Sequence, residues 1–97
     1  MNLGSTIKHF REQRSMSQKA LAQTTGISAP YLSLLESNQR TPALGMIESI
    51  AKALGVPVPI LMFHAMDEHD VPPAKRALFL TVFEPVRDMV TTTFCEQ

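Results

Sequence analysis

The sequence predicts an all-α protein: a head of five short helices followed by a C-terminal helical tail. Three observations carry that prediction. Apolar residues recur at intervals of three and four along most of the chain, serines and glycines punctuate the runs where helix caps belong, and prolines fall where a first helical turn tolerates them. A length of 97 residues allows one compact domain with an appendage, not a second core of ordinary size. The division predicted is a head over residues 1–66, a linker over 67–73 and a helical tail over 74–97.

Leu3, Ile7, Phe10 and Arg14 define the first helix, which the serines of Ser15-Met16-Ser17 interrupt near Arg14. Ser17 can cap a second helix whose buried side is Leu21 and Ala22 and which stops at Thr24 or Thr25. Gly26, a residue type that takes positive φ cheaply, precedes the apolar plug Ile27 and a new cap at Ser28. The third helix then runs from about Ala29 to Glu36 with Leu32 and Leu35 inward, and Pro30 occupies a first turn that has no amide partner to lose. Residues 37–42 are polar and turn-forming. Leu44, Ile47, Ile50, Ala51 and Leu54, ending at Gly55, mark the fourth helix; Pro57 and Pro59 open a short fifth through Ile60, Leu61 and Phe63.

His64 to Pro73 is acidic and closed by two prolines, the composition of a linker. Beyond it Leu78, Phe79, Val82, Phe83, Val86, Met89, Val90 and Phe94 form a broad apolar helical stripe, in which Pro85 should kink or split the helix. An isolated helix cannot bury such a face. Folding back on its own head is one way to cover it, but the linker and the excess of large apolar residues favour pairing with a second copy, so that Leu78, Phe79, Val82, Phe83, Val86, Met89 and Val90 are the candidate dimerisation residues.

The formal net charge is +0, but the charges are segregated: up to Met66 there is a surplus of three positive charges, and beyond it an equal negative surplus. Only the head suits a polyanion. No stretch reaches the roughly 20 apolar residues of a membrane span, and the first residues lack the basic segment and apolar core of a secretory signal, so the expectation is a cytoplasmic protein without membrane association. The single cysteine, Cys95, cannot form an internal disulfide, and no second cysteine or fixed cation is visible to make it a redox sensor. His64, Asp67, Glu68, His69 and Asp70 match no established metal-ligand spacing. With no phosphate-cradling glycine loop and no Ser/His/Asp constellation, neither an enzyme nor a cofactor is expected.

The segment from Gln18 to about Ser37 carries the functional reading. Ala22 is small where two helices cross closely, Gly26 permits the turn, and Leu21, Ile27, Leu32 and Leu35 fill the space beneath, which is a helix-turn-helix whose second helix fits a DNA major groove. The run Ser17-Gln18-x-x-Leu21-Ala22-x-x-x-Gly26-Ile27-Ser28, then Tyr31-Leu32-Ser33-x-Leu35-Glu36, then Arg40-x-Pro42, resembles the phage-repressor and Cro-like regulators called Xre-type. The resemblance covers roughly Ile7 to Phe63 and implies a five-helix lambda-repressor-like DNA-binding head with double-stranded DNA as partner. It also implies roles by position. Gln18 matches a phosphate-binding glutamine at the start of the second helix. Ala29, Pro30 and Leu34 fall where base edges are read, with Tyr31 and Ser33 beside them. Asn38, Gln39 and Arg40 fall in the loop that touches phosphates, with Lys19 and Arg14 as further cations. Ser28 is a cap first and a DNA contact second, and Arg11 more often pairs with Glu36 than with phosphate.

The sequence departs from that pattern at the reading positions, since Ala29, Pro30 and Leu34 cannot donate a bidentate hydrogen bond. Readout is therefore expected to lean on thymine methyls, hydroxyl contacts and DNA shape. The leading expectation is a repressor that binds a palindromic operator as a homodimer. Two rivals stand beside it: the antitoxin of a toxin–antitoxin pair, whose tail binds a partner protein, and a protein-interaction module that has lost DNA binding.

Overall fold

The computed structural model describes residues 1–95, Cys95 by its backbone alone, and is helical throughout. In chain order the helices are α1 (Leu3–Gln13), α2 (Gln18–Thr25), α3 (Ala29–Glu36), α4 (Leu44–Leu54), α5 (Val58–Ala65) and α6 (Arg76–Cys95). The readings placed on the Cys95 thiol and on the charge of Glu96 lie outside the described residues. Among those residues there is no strand, and no single helix is long and apolar enough to cross a membrane.

Local chemistry sets the helix ends. The Ser17 hydroxyl accepts from the Ala20 amide at 3.0 Å and the Ser28 hydroxyl from the Tyr31 amide at 3.1 Å, each satisfying one of the donors that a helix N-terminus leaves unpaired. Gly26 closes α2 in the left-handed region at φ 77°, where a Cβ would be strained. The head core gathers Ile7 and Phe10 of α1, Leu21 of α2, Leu32 and Leu35 of α3, Ile50 and Leu54 of α4 and Leu61 of α5, all essentially sealed from water. Each such side chain contributes about 1.5–3 kcal/mol relative to an exposed one. Leu44, read as part of the α4 buried stripe, is 64% exposed. It stands in the first turn, where the helix overhangs the core. Helices α4 and α5 meet at 103°, which turns the chain back toward α1.

The stretch read as a linker contains two 3-10 turns, Glu68–Asp70 and Pro73–Lys75. Asp67 and Asp70 form a reciprocal capping box, with the Asp67 side chain accepting from the His69 amide and Asp70 from the Asp67 amide, both at 2.8 Å. The Met1 amine approaches the same two carboxylates, 2.9 Å from Asp67 and 3.0 Å from Asp70.

One expectation for the tail is narrowed and one needs correction. Helix α6 runs through Pro85 without being split, because the hydrogen bond that proline removes is one among many in a 20-residue helix. The stripe is also not reserved for a partner. Phe83 is only 8% exposed, stacked at 4.5 Å on Phe79 and tilted at 4.9 Å against Phe63 of α5, so this candidate dimerisation residue is spent inside its own chain. Phe94 likewise packs on the head core. The stripe looked broad because it merges two faces: residues 79, 83, 87, 91 and 94 turn inward, whereas Leu78, Val82, Val86 and Met89 turn outward. Val90 is half-buried between them.

Candidate nucleic-acid interface

Burial divides α3 into two sides. Leu32, Leu35 and Glu36 are buried, and Ala29 and Tyr31 are half-buried against the core. Pro30, Ser33 and Ser37 are exposed with Leu34 half-exposed between them, at the i, i+3, i+4, i+7 spacing of one helical face. Ala29 was read as facing base edges, but it turns in part toward the core because it precedes that face by one residue, or about 100° of helix. Lys19, at the start of α2, is exposed, as are Gln39 and Arg40 in the loop after α3. The Gln39 and Arg40 amides both donate to the Leu34 carbonyl, at 2.9 and 3.3 Å, which folds this loop back onto the helix end.

A buried ion pair sets how α2 and α3 sit on α1. Arg11 donates from Nε and Nη2 to Glu36 Oε2 and Oε1 at 2.7 and 3.0 Å, and from Nη1 to the Met16 carbonyl at 2.8 Å. The Glu36 contact raises the Arg11 pKa against the opposing effect of burial. The Gln18 amide donates to Glu36 Oε1 at 3.0 Å, so the first residue of α2 is held to the last residue of α3. Gln18 is therefore a brace between the two helices, half-buried, and only the rest of its amide group is left for a phosphate.

Two residues read as phosphate contacts are occupied internally. Asn38, at φ 61°, accepts from the Gly4 amide at 3.0 Å and donates to Asn2 Oδ1 at 2.8 Å, stitching the end of α3 to the start of α1. Its short amide reaches the backbone because Gly4 lets the helices approach: a Cβ at Gly4 would lie 2.6 Å from Asn38 Oδ1 and from the carbonyls of Leu35 and Glu36. Arg14 donates to the carbonyls of Leu54 in α4, at 2.9 Å, and of Phe94 in α6, at 2.5 Å, and so anchors the tail instead of facing solvent. Sequence reasoning missed Asn2 and Gly4. The signal available was weak: an asparagine capping α1, its side chain accepting from the Ser5 amide at 3.1 Å, and a glycine in a first turn where nothing local demands one.

Residues 7–61 match the family model described as helix-turn-helix. The chain belongs to the helix-turn-helix family. The matched residues begin in α1 and end in α5, so family membership covers the core of the head and leaves α6 outside. Among curated relatives of this helix-turn-helix protein, an HTH-type transcriptional regulator of Mycobacterium tuberculosis is 40% identical over 62 residues, 64% of this chain and 44% of that protein. The immunity repressor protein of Bacillus phage phi105 is 36% identical over 60% of this chain and 40% of its own length. SinR of Bacillus subtilis, an HTH-type transcriptional regulator, is 33% identical over 62% and 55%. This chain thus spans about half or less of each of these three relatives. Among solved structures, the clp gene regulator ClgR from C. glutamicum superposes with a TM-score of 0.64 at 28% identity, covering 66% of this chain and 83% of that one. The Xre-type resemblance and the all-α fold stand on these matches, and the relatives are named as regulators, not enzymes.

Proposed function

We propose that this helix-turn-helix chain is a sequence-specific transcriptional regulator, a repressor that occupies a palindromic operator as a homodimer. The observation that carries the reading is the α3 face of Pro30, Ser33, Leu34 and Ser37, left outward by a core that consumes the other side of the helix. An α-helix so presented fits the major groove. Lys19 and Arg40, with the free amides at the start of α2, supply phosphate contacts beside it, and Gln18, Ser28, Tyr31 and Gln39 add hydrogen-bonding groups at the rim. Ser33 offers a hydroxyl, and Leu34 with Ala29 offers apolar contact to thymine methyls.

The outward face of α6 supports the dimer. Leu78 is 66% and Met89 65% exposed, and with Val82, Val86 and the edges of Phe79 and Val90 they make an apolar strip on a helix whose other side is already packed. Binding to a palindrome requires that pairing of two such strips set two α3 helices about one DNA turn, roughly 34 Å, apart. A selection from genomic fragments at low salt should return a palindrome, with affinity falling as about the 0.9 power of salt per phosphate neutralised. Leu78→Glu with Met89→Glu should convert the dimer to monomer by sedimentation.

The apolar character of Pro30 and Leu34 favours one rival, a protein-interaction module. Absence of any selected DNA at low salt would establish it over the regulator. A neighbour protein retained on α6 in place of a second copy would point to the antitoxin role.

A further inference from the structure

The loop after α3 carries Arg40, one of the two cations beside the α3 face, and little packing holds that loop from below. Of residues 37–42 only Pro42 is buried. A cavity of about 360 Å³ is lined by Arg40, Thr41 and Pro42 together with Met1 and Leu3, so side chains do not fill the space between the loop and the start of α1. Among the described residues, Arg40 makes no side-chain hydrogen bond and no ion pair. Its guanidinium therefore goes where the backbone carries it.

Asn38 is what fixes that backbone. At φ 61° it stands in the left-handed region, which asparagine enters more readily than most side chains and which turns the chain so that the next two amides reach the Leu34 carbonyl. Its side chain then clamps the turn to the other end of the head: Oδ1 accepts from the Gly4 amide at 3.0 Å, and Nδ2 donates to Asn2 Oδ1 at 2.8 Å. The anchor is itself held. Asn2 Oδ1 also accepts from the Ser5 amide at 3.1 Å, and the Asn2 amide donates to the Ala65 carbonyl at the end of α5 at 2.7 Å. The loop is thus pinned at Asn38 by the clamp and at Pro42 by burial, with Arg40 midway between them.

A glycine would adopt this backbone conformation without steric cost. What the asparagine adds is the tie to α1. Asn38 is also neutral, which separates two roles that it could play on DNA. Losing a neutral amide that touches phosphate lowers affinity but releases no fewer counterions, whereas misplacing Arg40 lowers the affinity and its salt dependence together.

We propose that Asn38 is a positioning residue for DNA binding: by tying the loop after α3 to Asn2 and Gly4, it sets the Arg40 guanidinium against a phosphate. The proposal rests on the DNA-binding reading above. The test is the affinity of the full chain for its selected operator over a salt series. Asn38→Gly keeps the left-handed turn and removes the clamp; it should bind on the order of fivefold more weakly, with the salt dependence lower by about one ion, as for Arg40→Ala, and the preferred sequence unchanged. Combined with Arg40→Ala it should bind no more weakly than Arg40→Ala alone, because the one acts through the other. Asn2→Ser keeps a cap on α1 but stops short of Asn38, and should lower the salt dependence in the same direction by less. Without DNA, hydrogen exchange at the Gln39 and Arg40 amides should quicken about tenfold in Asn38→Gly, while the Leu32 and Leu35 amides stay protected and show that the variant folds. Wild-type salt dependence in Asn38→Gly, whether or not its affinity falls, would overturn the proposal. Additive losses in the double variant, or wild-type exchange at both loop amides, would do the same. A wild-type chain that selects no operator would overturn the DNA-binding reading and this role together, with the clamp still visible in the exchange rates.

Discussion

Replacing Arg11 by methionine isolates what the buried ion pair does. Glu36 has a side chain only 3% exposed and receives three hydrogen bonds, two from Arg11 and one from Gln18. Arg11→Met keeps most of the packing of the aliphatic stem but leaves a buried carboxylate with one neutral donor, and it also releases the Met16 carbonyl from Arg11 Nη1. Stranding one member of a buried pair costs about 3–5 kcal/mol, against a total stability of about 5–15 kcal/mol for a domain of this kind. The expected loss is thus a large share of the whole, read as a fall in the urea midpoint followed by circular dichroism at pH 7. Arg11→Met with Glu36→Leu should regain most of it, because the double variant buries no unpaired charge. A loss under about 1 kcal/mol for Arg11→Met, or a double variant as unstable as the sum of the singles, would refute the reasoning.

Gly4→Ala should destabilise the protein by about 1–3 kcal/mol by overpacking against two backbone carbonyls, although alanine favours a helix by up to about 1 kcal/mol; an unchanged urea midpoint would show that α1 shifts freely. Because the His64 pKa is lowered on folding from 6.5 to about 4, the unfolded chain binds more protons between those values. Stability should therefore be fully present above pH 6.5 and decline as pH falls toward 4. Solvent screening at the half-buried ring leaves on the order of 1–2 kcal/mol of the roughly 3 that the full shift represents, and His64→Gln should flatten that part of the pH profile of urea midpoints. On the selected operator, Lys19→Ala and Arg40→Ala should each reduce the salt dependence of binding by about one ion without changing the preferred sequence. Leu34→Gln should change the preferred sequence in a repeated selection.

What was legible in the sequence was local. Ser17, Gly26, Ser28 and Gly55 each act within one helical turn, and they fixed α2, α3 and the end of α4 with little reference to the rest of the chain. The contacts that escaped it span long separations: Gly4 to Asn38, Thr6 to His64, Arg14 to Phe94. Polar residues have several uses, and their type does not say which is taken. Arg14 and Asn38 have the chemistry of phosphate ligands, yet each lies where a carbonyl or amide of a distant helix needs a partner first. Helical periodicity likewise showed that α6 is apolar over a wide arc, but which part of that arc meets its own head depends on the position of Phe63 in α5.

The two faces of α6 are offset by a single residue, Phe79 and Phe83 inward beside Leu78 and Val82 outward. One residue of helix is about 100° of rotation. Inserting one residue between Pro73 and Leu78 would therefore bring Leu78 and Val82 to the head where Phe79 and Phe83 now lie, and deleting one would bring Leu80 and Glu84 there instead. The length of that short approach acts as a reading frame for the helix. Substitutions along α6 should be absorbed one at a time, whereas a change of one in the count turns every side chain of the helix by about 100° relative to the head.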